Sequence, residues 1–239
     1  MITWPSASPC TGDGGFIVGA QELRAGATGR LIVLDFDGVL LDTERVGIDV
    51  WRDLLDDGPR PARDALSVRA DGTLDRDALR RGLTATLGRR RARALWSEFE
   101  RRNRVRADRL DARPGVRPFL AHCRERGHRL AVASGNGRDW VEGHLQRLGI
   151  RSAFHSVHCA GPGVRTKPAP DTYLRALHAC APAGPASGLL AVEDSYAGLA
   201  AAGAAGLPAV WLTDAPGSAL SPGPVARRVR ALDELIGTL

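Results

Sequence analysis

The chain has 239 residues, 44% of them apolar and 25% charged, which suits one packed domain with or without a smaller insertion and is too apolar for a disordered chain. The formal charge is +6, from 33 Lys and Arg against 27 Asp and Glu. The cations are scattered without the aromatic interleaving of single-strand binders, so no nucleic-acid partner is expected, although a basic surface does attract small phosphorylated anions. No apolar run approaches the ~20 residues of a membrane span, and the start of the chain has no basic segment leading into a long apolar one. A cytoplasmic protein with no membrane partner, taken as a monomer by default, is therefore expected.

In chain order, residues 1–29 are rich in Gly, Ser, Pro and Thr and read as a loosely ordered extension, with a short ordered piece around 16–18. Leu31-Ile32-Val33-Leu34 is a continuous apolar run closed by Asp35-Phe36-Asp37-Gly38, the pattern of a strand buried on both faces. Residues 46–112 then change character. Arginine and aspartate dominate, and apolar residues recur at helical spacing: Leu79, Leu83 and Leu87, then Ala92, Leu95, Trp96 and Phe99. Helices are predicted over 76–87 and 89–108, with turns at Gly58-Pro59 and Asp71-Gly72. The segment reads as an all-helical insertion, and its arginine run at 89–91 as a solvated face.

After Arg113-Pro114-Gly115 strands and helices alternate again. Helices are predicted over 116–126, 138–148, 170–180 and 196–205, with Gly127, Gly149 and Gly206 as stops, and a last one over 225–236. Strands are predicted over 130–133, 157–159, 188–192 and 209–212. Alternation of this kind implies an α/β fold, a Rossmann-like parallel sheet with helices on both faces. The boundaries that follow are a core of 30–45 and 113–239 with a helical insertion at 46–112. Cys10, Cys123, Cys159 and Cys180 form no CxxC pair and suit no zinc site, so they read as free thiols. The six histidines show no ligand spacing.

The polar residues that follow these strands carry the chemistry. Asp35 and Asp37 follow the first strand, Ser134 the second, and Glu193 and Asp194 a later one, while Lys167 precedes a helix. Ligands of parallel sheets bind beside the carboxyl ends of the strands, so these segments converge on one crevice. Crowded carboxylates need a hard cation, and oxygen-only ligands favour magnesium. A phosphate beside the metal needs positive charge from Lys167 and donors from Ser134 and the backbone amides of Gly135 and Asn136. Lys167 is the single lysine among the 33 basic residues, as if a compact ammonium were required there. A carboxylate beside such a phosphoryl group can attack it, which splits hydrolysis into two easier steps. Asp37, two residues on along an extended chain, projects to the same side and can protonate the leaving oxygen and then deprotonate water.

At this point the sequence resembles the haloacid dehalogenase (HAD) superfamily. The resemblance rests on Asp35-Phe36-Asp37-Gly38-Val39-Leu40-Leu41-Asp42-Thr43-Glu44, Val132-Ala133-Ser134-Gly135-Asn136, Lys167-Pro168-Ala169-Pro170-Asp171, and Val192-Glu193-Asp194-Ser195 followed by Gly198. It covers about residues 30–215 and is nearest to the helical-cap subfamily of β-phosphoglucomutase-like phosphatases. It implies Asp35 as nucleophile, Asp37 as acid/base, and Ser134 and Lys167 as phosphate binders. Magnesium would be held by Asp35, the Asp37 carbonyl and Asp194 with Glu193 beside it. Asp42 and Glu44 read as helix-start residues. The expected activity is a Mg-dependent phosphatase of a small phosphorylated metabolite. Two alternatives are a sugar phosphomutase and a catalytically silent phosphate-binding module. Mutases of this group carry a cap histidine at a position that falls near Gly47 here, and residues 46–112 contain no histidine or lysine. The relatives that cleave carbon–halogen bonds lack the second aspartate, which is present here as Asp37.

Overall fold

The computed structural model describes residues 29–180, 188–214 and 225–239. The expected extension, with the piece at 16–18 and Cys10, lies outside these residues save for Gly29. The fold is α/β. Six parallel strands stand in the order β3-β2-β1-β4-β5-β6: β1 (Leu31–Leu34), β2 (Arg129–Gly137), β3 (Ser156–Ala160), β4 (Leu189–Glu193), β5 (Ala209–Leu212) and β6 (Val225–Val229). The helices are α1 (Thr43–Leu55), α2 (Arg60–Asp64), α3 (Arg76–Ala107), α4 (Val116–Glu125), α5 (Arg138–Arg147), α6 (Asp171–Cys180) and α7 (Tyr196–Ala204).

The apolar run of β1 is continuous because the strand is central and covered twice. Ile32 and Leu34 point into a cluster with Phe119 and Leu120 of α4 and Val141 and Leu145 of α5. Leu31 and Val33 point the other way, against Tyr173 and Ala176 of α6 and Leu199 of α7. Register then decides what meets at the end of the sheet. Leu34 pairs with Val132 on one side and Val192 on the other, so Asp35, Ser134, Glu193 and Asp194 emerge within a residue or two of the same level.

A third apolar cluster belongs to the helices inserted between β1 and β2. Trp51 is fully buried and stacks on Phe99 at 4.5 Å between ring centroids, with Trp96 tilted at 5.0 Å. Such aromatic pairs contribute about 0.5–1.5 kcal/mol beyond their buried area. The predicted helices at 76–87 and 89–108 form one element, α3, broken at Gly88, whose φ of 75° is outside the helical region. Val68 and Leu74 form an isolated antiparallel bridge between α2 and α3. Among the described residues no helix is long and apolar enough to cross a membrane, and Cys123, Cys159 and Cys180 are buried free thiols.

The expected helix over 225–236 is not found. Val225–Val229 is instead the edge strand β6, paired with β5, and Leu232–Leu235 is a short 3-10 turn. Val225 and Val229 are four apart, a spacing that fits one face of a helix and one face of a strand alike. The free edge of β5 settles the choice, because pairing there satisfies backbone groups a helix would leave exposed on that edge.

Several histidines are held neutral. Burial pulls His128 and His144 below the usual imidazole value, and His158 is pushed down to about 4, by burial first and then by Arg138. The unfolded chain binds protons more readily at these groups. Their contribution is therefore complete above the unfolded value of 6.5 and is lost as pH falls from 6.5 towards about 4. Thermal melts should show the midpoint dropping across that window, less steeply in His158→Gln. An unchanged slope in that variant would rule the residue out as a contributor.

Candidate active site

The site begins where β1 ends. The Asp35 amide donates to Val192 O at 3.0 Å, so pairing with β4 runs one residue past the strand and sets the Asp35 side chain beside Glu193. The chain then turns sharply. Gly38 has a φ of 80°, and a Cβ there would lie 1.7 Å from Asp194 Oδ2, so only glycine lets the turn approach that carboxylate. Lys167, from the loop between β3 and α6, places Nζ 2.7 Å from Asp35 Oδ1 and 2.6 Å from Glu193 Oε1. The Tyr173 hydroxyl on α6 donates to the same Glu193 oxygen. Asp35, Glu193 and Asp194 each bring a carboxylate oxygen within 4.8 Å of the others.

Asp35, Glu193 and the Lys167 side chain are nearly dry, and Asp194 is half-buried at the edge of a cleft. Burial, and then Glu193, pushes Asp35 up to about 8. Burial, and then Asp35, holds Asp194 well above the usual carboxylate range. Burial pulls the Lys167 ammonium down, but Asp35 and Glu193 outweigh it and keep it above its usual value. Three carboxylates facing one ammonium leave the cluster two positive charges short when ionised. An all-oxygen set with that deficit fits a hard divalent cation.

Asp37 belongs to a second, adjoining group. Its Oδ1 accepts from Thr43 Oγ1 at 2.7 Å and from Trp140 Nε1 at 3.0 Å, and its Oδ2 from Asn136 Nδ2 at 2.7 Å and Ser134 Oγ at 3.5 Å. Between the two aspartates the chain bends at Phe36, and Asp37 forms an isolated bridge with Leu41 before the turn at Gly38. The Asn136 amide, expected as a free donor, instead donates to Ser134 Oγ at 3.0 Å, and Ser134 is fully buried. Gly135 stands between them on the exposed rim. Asp42 caps α1 without a side-chain bond, and Glu44 in its first turn accepts from the Leu74 amide at 3.4 Å.

Three participants, Tyr173, Trp140 and Asp71, were missed from the sequence, whereas Gly198 already stands in the fourth motif. Tyr173 and Trp140 look like packing aromatics. Gly198 is needed because a Cβ there would fall 1.9 Å from Glu193 Oε2. Asp71 lies in the inserted segment, yet its Oδ2 accepts from the Tyr196 amide at the start of α7 at 2.8 Å. A cleft of about 520 Å³ opens there, lined among others by Gly38, Glu44, Arg45, Asp71, Arg113 and Asp194. Gly198→Ala should cost about 1–3 kcal/mol by overpacking. Gly203→Ala, in the same helix with nothing within 4 Å, is the control and should be neutral or slightly stabilising. Urea midpoints that fall equally for both would show that the Glu193 contact is not the cause.

Comparison with known proteins gives a consistent result. A family model for haloacid dehalogenase-like hydrolases matches residues 30–206. YhcW of Bacillus subtilis (strain 168) is 29% identical over 182 residues, covering 76% of this chain and 82% of that one. A phosphorylated carbohydrates phosphatase of Thermotoga maritima is 27% identical over 186 residues, covering 75% and 83%. The crystal structure of a β-phosphoglucomutase from Clostridium difficile superposes with a TM-score of 0.65 at 18% identity over 88% of this chain and 94% of that one, a likeness of fold.

Proposed function

Because the chain belongs to the haloacid dehalogenase-like hydrolase family and is a phosphoric monoester hydrolase of it, we propose that it cleaves a small phosphorylated metabolite through a phosphorylated Asp35. The observation that carries this reading is the contact of Lys167 with both Asp35 and Glu193, beside Asp194. A buried carboxylate is thereby placed against a fixed ammonium, in a cluster that still lacks two positive charges.

In this reading Lys167 and Ser134 grip the phosphoryl oxygens, with Gly135 and Asn136 lining the rim. One Asp35 oxygen forms a bond to phosphorus as the bond to the leaving oxygen breaks. Asp37 gives its proton to that oxygen, then takes one from the water that attacks the phosphorylated Asp35, which releases inorganic phosphate and restores the carboxylate. Both Asp37 oxygens accept bonds in the described geometry, so Asp37 must surrender a donor among Thr43, Ser134, Asn136 and Trp140 before it carries a proton. Magnesium would be held by Asp35, the Asp37 carbonyl and Asp194 with Glu193 beside it, and when bound it supplies charge to offset the phosphoryl oxygens. Residues 46–112 act as the cap and the remainder from residue 30 as the core, with Asp71 closing the cap onto α7. A phosphorylated carbohydrate is the substrate class, by analogy with the Thermotoga maritima relative, and the protein acts in the cytoplasm.

The test is turnover of p-nitrophenyl phosphate by the full chain. Phosphate release with magnesium, loss in excess EDTA and recovery on adding magnesium are the expected results. Activity that persists without any divalent ion would remove the metal from the reading. Absence of turnover across a broad panel of phosphate esters, with tight binding of one of them, would replace the enzyme by a phosphate sensor.

A further inference from the structure

We propose that the inserted helices carry a second anion site, separate from the phosphoryl centre, in which Arg80, Arg89 and Arg93 take a phosphate-type oxyanion at the break in α3. The break at Gly88 sets the two arms of α3 across a cavity of about 230 Å³. Arg80 and Thr84 line it from the arm before the break, and Arg89, Arg93 and Trp96 from the arm after it. No carboxylate lines this cavity, and it shares no lining residue with the cleft over Asp194.

Its arginines differ from those near the ends of α3, and from the adjacent Arg81, Arg90 and Arg91 in lining the cavity. Arg101 and Arg102 share Glu98 at 2.7 and 2.6 Å, Arg106 pairs with Asp53, and Arg76 lies 3.6 Å from Glu44. Among the described residues Arg80, Arg89 and Arg93 have no carboxylate partner. The Arg80 guanidinium lies over Trp96, 4.6 Å from the ring centroid. Stacking of this kind fixes the guanidinium plane and leaves its in-plane N–H groups free to donate. Three guanidiniums around one hollow repel one another, and a dianionic oxyanion relieves that repulsion while accepting paired N–H bonds. The Thr84 hydroxyl adds a donor. The ligand class is a phosphate or diphosphate group, free or carried on a small molecule.

Inorganic pyrophosphate is the probe, titrated by calorimetry into the full chain in EDTA, where the acidic cluster holds no divalent ion and its excess negative charge disfavours the anion. One saturable site is expected. The double variant Arg89→Ser/Arg93→Ser should weaken it by about tenfold or more, since two charge-assisted contacts are lost. Arg90→Ser/Arg91→Ser removes the same charge from exposed neighbours outside the cavity and should leave affinity within about twofold. All four positions are exposed, so thermal melts should show both variants folded. Lack of saturable binding overturns the site. Equal weakening by both variants, the mark of diffuse charge, overturns it too, and so does undiminished binding in Arg89→Ser/Arg93→Ser.

Discussion

Asp35→Asn is expected to lower turnover by roughly four orders of magnitude or more, the scale seen when a catalytic nucleophile is removed. An amide of the same shape cannot attack phosphorus and be regenerated by water. The fold should survive. Asp35 is pushed up to about 8 by burial and by Glu193, so a neutral group there relieves repulsion even as the pairing with Lys167 is weakened. A thermal midpoint at or above that of the parent chain, with turnover gone, is the expected pair of results. Turnover within tenfold of the parent would remove Asp35 as nucleophile, and lost turnover with a collapsed midpoint would leave its role undecided between chemistry and folding.

Lys167→Met has the second largest expected effect, because it acts on stability and on turnover together. The Lys167 side chain is 8% exposed, and its partners Asp35 and Glu193 are 9% and 0% exposed. Removing one partner of a buried ionic group leaves uncompensated charge and costs about 3–5 kcal/mol. Magnesium that binds the folded acidic cluster would offset part of this loss, so the melting midpoint should rise more on adding magnesium in the variant than in the parent. Lys167→Arg keeps the charge, but a planar fork does not fit two contacts of 2.7 and 2.6 Å made by one compact nitrogen. It should fold better than the methionine variant and still lose most turnover. A parental rate in Lys167→Arg would show that charge alone suffices.

Much of the scaffold was legible because it is written locally. The run at 31–34 is apolar at every position because both faces of β1 are covered, and a short continuous run ending in aspartate and glycine says so without any tertiary knowledge. Gly127, Gly149 and Gly206 stop helices through positive φ, a backbone property that travels with the residue. The final strand was not legible. Two valines four apart satisfy both periods, and only the unpaired edge of β5 discriminates between them.

The site divides in the same way. The sequence by itself determined which polar groups stand at the ends of strands, Asp35, Asp37, Ser134, Glu193 and Asp194, and that Lys167 stands just before a helix. Tertiary structure alone decided how they are shared out. Lys167 joins Asp35, Glu193 and Asp194, while Asp37 turns away to Thr43, Asn136 and Trp140, the last of these 103 residues distant. Asp71 reaches the Tyr196 amide across 125 residues. A local pattern carries the direction of a side chain relative to its own strand or helix. Which distant donor it meets depends on how strands are ordered and where inserted helices come to rest, and no short window of residues encodes that.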